Sequence, residues 1–364
     1  MKIGTTHMTP WVRDRTQLQT FAECAERMVA AEQFGYYSSW LTEHHFANDP
    51  TYDALGYPAA DNPAYDLTPD PLTFLTFVAA KTRTLRLGTG VVVLHYDHPI
   101  RVAERAAMLD VLSNGRLELG VGRGSGRIEP AAFHVAQEGN REKFKEALDI
   151  IRLAWTGRPF RFDGDYYQFP ELAVVPTPIQ QPPPIYVAAS STESFGWTGA
   201  YGLPYCYVGG AWGPVPRAAY RAQHEQYLAA ARTAGHDTTK MLFPHHLLMY
   251  CADTDDRAEA VATEYMSRFH AMVEAHYERL RYPEIDQGRF SRLRSADDLG
   301  ELVRTMIELN LIGSPETCAR KLEAYLEVFD LNYLVTAVDF GAMPHNLVLD
   351  SMERFARFVM PRFS

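Results

Sequence analysis

Eight short apolar runs, most followed at once by a stretch with helical spacing, recur from one end of this chain to the other. Few folds accept that alternation. A strand with a continuous apolar run needs cover on both faces, and a helix after each strand supplies it through a parallel crossover. The strands read as Lys2–Met8, Tyr36–Leu41, Leu85–Val93, Arg116–Val121, Ile185–Ala189, Tyr205–Val208, Leu242–Cys251 and Leu331–Val338. Helical spacing covers Thr16–Phe34, Pro71–Lys81, Arg101–Leu112, Arg141–Trp155, Thr192–Ala200, Ala218–Thr233, Arg257–Leu280, Leu299–Leu309, Pro315–Phe329 and Leu347–Val359. Phe160–Phe169 reads as a hairpin turning on Asp163-Gly164. Eight such units favour closure into a single (β/α)₈ TIM barrel with loop insertions, one domain over residues 1–364. The proline cluster Pro176–Pro184 reads as a rigid surface connection, because the alternation resumes unchanged beyond it.

Composition narrows the function. A formal net charge of −10 argues against nucleic acid as a partner, which needs a basic face. The four cysteines are scattered with no Cys-x-x-Cys pair, so neither a zinc site nor a disulfide framework is indicated. No stretch approaches a membrane span, and the N-terminus turns polar too soon for a signal peptide. A soluble, cytoplasmic protein is expected.

The second strand ends in Glu43, His44 and His45. Parallel α/β proteins place their chemistry at such strand ends, and histidine is the side chain best suited to exchange a proton near neutral pH. These three residues form the expected floor of an active site, with His44 the catalytic candidate and His45 the structural one. A metal would need a third ligand beyond adjacent side chains, so no metal is assigned. The run Gly120-Val121-Gly122-Arg123-Gly124-Ser125-Gly126 lacks the immediate helix of a dinucleotide fingerprint. Its glycines instead let a flat ring or a phosphate approach the backbone while Arg123 brings charge; the plainer reading is a permissive turn with a solvated arginine. Ser190, Ser191 and Ser194 open a helix after a strand, which makes either an anion site or a plain N-cap at Ser191 or Thr192. Gly90, inside an apolar strand, marks either a close approach or barrel curvature. His95 and Tyr96 follow that strand and are candidates for the substrate wall. His245 and His246 lie in a strand and face opposite ways, so at most one reaches the interior.

Five segments taken together resemble the bacterial luciferase-like family of flavin-dependent monooxygenases: Tyr37–Phe46, Leu87–Leu94, His98–Glu104, Gly115–Gly124 and Asp339–His345. The resemblance runs over nearly the whole chain in the family's order and implies a TIM barrel. It implies that His44 lies beside the flavin, acting in proton transfer or in stabilising the oxygenated cofactor. It places Arg123, with Gly122 and Gly124, near the FMN phosphate, assigns Ser190, Ser191 and Ser194 to the same phosphate, and carries a non-prolyl cis peptide to Gly90–Val91 beneath the ring. It further implies a two-component system, in which reduced FMN from a separate flavin reductase reacts with O₂ and one oxygen atom passes to an organic substrate. A homodimer formed through the early helix Thr16–Phe34, with its small residues Ala22, Ala25, Ala30 and Ala31, is also expected. Two alternatives stand beside this reading: hydride transfer with a deazaflavin on the same fold, and a non-catalytic flavin-binding barrel. The loop Ala47–Asp70 is expected at the pocket mouth and Arg281–Arg294 at a lid; neither identifies the substrate.

Overall fold

Each expected strand is present, and their pairing closes a circle. In the computed structural model the described residues are 1–12, 15–46, 66–124, 128–136, 138–208, 217–278, 296–327 and 331–363. The barrel strands are β1 (Lys2–His7), β2 (Ser38–Leu41), β3 (Arg86–Thr89), β4 (Leu117–Gly122), β5 (Ile185–Ala188), β6 (Tyr205–Cys206), β7 (Pro244–Cys251) and β8 (Tyr333–Ala337). Neighbours pair in parallel in the order β7-β8-β1-β2-β3-β4-β5-β6. A parallel bridge from Tyr207 to His245 joins β6 to β7 and completes the ring.

Three details depart from the sequence reading. The third strand is not continuous: β3 stops at Thr89, a cis peptide joins Gly90 to Val91, and a separate two-residue strand, Val92–Val93, pairs with the end of β4. A further strand, Leu311–Gly313, runs beside the upper end of β7. The helix expected at Arg101 begins two residues earlier, at Pro99. Proline is favoured at the first helical position because its missing N–H has no partner there anyway, and the ring of His98 accepts the Ile100 amide as cap. The expected hairpin forms from Phe160–Asp163 and Gln168–Leu172. The proline cluster is stitched to the barrel wall: Gln180 donates to the Asp110 carboxylate and the Leu117 carbonyl, and Leu119 donates to the Pro184 carbonyl.

Side-chain size around the barrel interior positions the site. Trp40 of β2 fills the middle, and β3 and β4 give way to it. A Cβ on Gly88 would stand 2.3 Å from the indole, and one on Gly120 would stand 3.1 Å from it. Tyr186, Cys206, Tyr333 and Val335 complete that layer. Below it, the buried Glu118 accepts from Tyr333 at 2.6 Å and pairs with Arg86 at 2.8 Å. A buried charge is tolerated when paired and hydrogen-bonded in this way. The lower barrel is therefore filled by side chains, and barrels of this kind bind ligands at the C-terminal end. No helix among the described residues is long and apolar enough to cross a membrane.

Candidate active site

Past β2 the chain leaves the wall and presents Glu43, His44 and His45 at the C-terminal face. Glu43 is buried and tied on both sides: one carboxylate oxygen accepts the Val93 amide at 3.2 Å, the other the His45 ring at 3.2 Å. Burial pushes its pKa up, although the hydrogen bond and charge of His45 pull the other way. The ring of His45 sits edge-on to Phe133 at 4.8 Å and to Tyr96 at 5.5 Å, a packed setting that matches its structural reading. The backbone amide of His44 donates to the Thr68 carbonyl, and its Nδ1 lies 3.6 Å from the carboxylate of Glu129. Burial works against charge on this ring, but the Glu129 interaction and the fields of Asp66 and Glu43 outweigh it and raise the His44 pKa.

Glu129 is a site residue the sequence reading missed. It lies on the short helix Ile128–Ala132 with no hydrophobic period to mark it, almost wholly buried. One oxygen accepts the His45 amide at 2.8 Å, the other the Tyr96 hydroxyl at 3.1 Å. Tyr96, expected on the substrate wall, is thus engaged with Glu129 and stacked on Phe133 at 4.7 Å. His95 likewise turns inward: Nδ1 faces the Arg123 carbonyl at 3.1 Å and Nε2 the Asn140 carbonyl at 2.7 Å. Burial and the nearby Lys143 and Arg123 cations lower its pKa against the pull of the two carbonyls. A neutral ring donates to only one of them. It is held between the Arg123 and Asn140 carbonyls, against the Arg123 loop.

The glycine-rich exit of β4 lies against the cis peptide. A Cβ on Gly122 would stand 2.6 Å from Val91 and 3.6 Å from Ala188, so the ends of three strand segments meet at this glycine. Gly124 takes a left-handed φ of +81°, and a Cβ there would stand 2.7 Å from the Tyr96 hydroxyl, a position only glycine fits without strain. Arg123 donates to Asn140 at 3.1 Å; burial and the neighbouring Arg141 lower its pKa. Arg141 in turn pairs with Glu193 in the first turn of the helix Thr192–Tyr201. This chain of contacts brings the Arg123 loop beside the serine loop. Ser191 is that helix's N-cap, and Ser194 completes a capping box: the Ser194 hydroxyl accepts the Ser190 and Ser191 amides and donates to the Ser191 carbonyl at 2.7 Å. Ser194 is buried in this cap, while Ser190 and Ser191 are exposed. Ser125 and Gly126 lie outside the described residues, as do positions 47–65 of the mouth loop and all of the expected lid.

Beneath these loops, the space at Gly90 is bordered by Thr6, Trp40 and His246, each 3.7–3.8 Å from where its Cβ would be. His246 is therefore the interior member of its pair, 3.3 Å from Cys206 Sγ, and His245 packs outside against Tyr207 and Tyr220. Among the described residues no three His, Cys, Asp or Glu side chains are grouped to hold a metal ion.

A closed parallel barrel with an acid–histidine pair at the end of its second strand, a non-prolyl cis peptide at the third and a glycine–arginine loop at the fourth defines a class of α/β-barrel oxidoreductases. The chain belongs to the luciferase-like monooxygenase family, whose model matches residues 1–330. It is 29% identical over 367 residues to the oxygenase component of a flavin-dependent trigonelline monooxygenase from Acinetobacter baylyi, covering 98% of this chain and 94% of that one. Among solved structures it is similar to the monooxygenase RslO1 from Streptomyces bottropensis (TM-score 0.84, 24% identity, all of both chains). It is also similar to the oxygenating constituent of 3,6-diketocamphane monooxygenase from Pseudomonas putida in complex with FMN (TM-score 0.73, 21% identity, 100% and 99% covered). F420-dependent enzymes share the fold as well.

Proposed function

We propose that this chain is the oxygenase component of a two-component monooxygenase that takes reduced FMN from a separate flavin reductase and passes one oxygen atom of O₂ to an organic substrate, the whole chain acting as one domain. One observation carries the reading: Glu43–His44, the cis Gly90–Val91 peptide and Gly122-Arg123-Gly124 converge on one face of the barrel, with contacts linking each to the next. The residues present suit a flavin mononucleotide. Gly90 leaves its backbone open to a flat ring, with no atom closer than 3.7 Å to where its Cβ would be, while Gly122 and Gly124 let the loop pack tightly on Val91 and Tyr96. Arg123, Ser190 and Ser191, at a helix N-terminus, are matched to a phosphate. Ser194 acts through the cap, holding Ser190 and Ser191 in place. Bound there, reduced FMN supplies the electrons that activate O₂. The protein positions it, excludes water from the reacting edge and handles a proton at His44. Four reduced, buried cysteines are in keeping with a cytoplasmic protein.

Anaerobic titration tests the cofactor. Reduced FMN should bind tightly and a deazaflavin weakly, and Arg123→Ala should weaken FMN binding by about 1.5–3 kcal/mol, the range for a hydrogen bond to a charged group. Tighter binding of the deazaflavin would replace oxygen transfer with hydride transfer. Equal FMN affinity in the Arg123 variant would move the phosphate elsewhere.

The reading also includes a homodimer formed through the early helices. Ala25, Ala30 and Ala31 are buried in the chain's own core, and of the four alanines only Ala22 is exposed. Exposed apolar side chains in this region are Leu18 on the early helix itself, Phe77 on the helix Pro71–Ala79, and Met108, Val111 and Leu112 on the neighbouring helix Pro99–Leu112. Light scattering at micromolar concentration should give twice the chain mass, falling to one chain mass in a Phe77→Glu/Leu112→Glu double variant. A monomeric parent protein ends this part of the reading.

A further inference from the structure

We propose that Glu129 is the positioning residue for His44: its carboxylate holds the ring at Nδ1 and supplies the counter-charge that keeps His44 a proton donor, while the Tyr96 hydroxyl moderates that charge. The inference rests on reading His44 as the proton-handling group.

The geometry is that of one buried carboxylate serving three neighbours. Its two oxygens meet the His45 amide (2.8 Å), the Tyr96 hydroxyl (3.1 Å) and the His44 ring (3.6 Å). The His45 amide and the His44 backbone bond to Thr68 fix the chain on either side of the ring, so Glu129 sets which ring nitrogen is engaged. An anion at Nδ1 favours the imidazolium, the form that can give up a proton. Among the described residues, the charged groups facing His44 are Glu43 with its bound His45 on the same segment, Asp66 on the Asp66–Thr68 stretch, and Glu129. Asp66 is occupied by Thr9, Thr42 and Thr68, and Glu43 by Val93 and His45. Glu129 is the acid that meets the ring itself. The same group also touches the cofactor side of the site. Tyr96, which donates to Glu129, packs against Gly124, next to Arg123. A change in how the Arg123 loop sits would reach His44 through two contacts, Gly124 to Tyr96 and Tyr96 to Glu129.

The test follows the His44 ring by NMR in the flavin-free protein with ¹³C-labelled histidine, the signal assigned by its loss in His44→Gln. Glu129→Gln keeps the shape and removes the charge, and should lower the His44 pKa by about one unit or more, the scale for an opposite charge at this range. Glu129→Asp, with the charge kept but withdrawn, should lower it by less. Tyr96→Phe removes a donor from Glu129, leaves its charge less satisfied, and should hold the His44 pKa level or raise it. Opposite signs for the two sites are what general loosening of the structure does not give. An unmoved His44 titration in Glu129→Gln, or a fall in both Glu129→Gln and Tyr96→Phe, overturns the proposal. With reduced FMN and substrate present, the pH limb of coupled turnover should move with the NMR value. If the ring titration shifts and the limb does not, Glu129 still sets the charge of His44, and it is the proton-handling role of His44 that falls.

Discussion

His44→Ala is expected to cut product formed per reduced flavin consumed by roughly 10²-fold or more, the scale of general acid–base catalysis, while reduced-FMN affinity stays nearly intact. Oxygen uptake should continue, with hydrogen peroxide released in place of product. The separation follows from the site's layout. Arg123, Ser190 and Ser191 belong to loops after β4 and β5, whereas His44 follows β2 and is held by Thr68 and Glu129. His45→Ala should behave differently. Its ring bonds Glu43 and packs on Phe133 and Tyr96, so its loss should lower stability by about 1–3 kcal/mol, the cost of leaving a buried polar partner unsatisfied, and touch coupling less. Both yields and melts are measured on the same preparations. Full coupling in His44→Ala with coupling lost in His45→Ala would reverse the two roles.

The folded protein should lose stability steeply as pH falls from about 6.5, and buried histidines are the reason. Burial lowers the pKa of His245 and His246 to about 3 and that of His270 to about 4; burial and the Arg27 charge hold His7 well below its ordinary value. Unfolded, each titrates near 6.5, so below that pH the unfolded chain binds more protons and folding weakens. Each histidine contributes up to about 1.4 kcal/mol per pH unit, and the four together up to about 5 kcal/mol per unit, over the window from 6.5 down toward their folded values. Three buried carboxyls act the other way. Glu43, Glu118 and Asp339, raised chiefly by burial, take up protons in the folded state before the unfolded one and recover part of the loss as pH falls through their raised folded values. His44, raised rather than lowered, adds stability that is present below 6.5 and lost as pH rises through its folded value. Denaturant melts between pH 7.5 and 5 read the slope directly. A flat profile would mean these rings reach water in the native state.

Much of the fold was legible because its signals are local. A strand covered on both faces is written as an apolar run, a helix as a 3.6-residue period, and each starts and stops on residues with their own chemistry, such as Asp70-Pro71 or Asn114-Gly115. Eight such units left few topologies. His44, Arg123 and the serines could be picked out as candidates because strand ends in a parallel barrel all point to one face. The cis bond at Gly90–Val91 came from the family resemblance, not from the residues themselves. Their partners were another matter. Glu129 is 85 residues from His44, and Arg141 is 52 from Glu193, separations across which no sequence period carries information. The sequence placed Tyr96 and His95 after a strand but not the groups that hold them. A residue after a strand lines a pocket or supports it according to which neighbour satisfies its polar atoms, and here those neighbours are Glu129 and the Arg123 and Asn140 carbonyls. The amino-acid order by itself thus determined the barrel and the face that gathers the candidate site. Only the tertiary structure decided which histidine faces the interior and which carboxylate meets His44, because burial and contact distance exist only once the strands have closed.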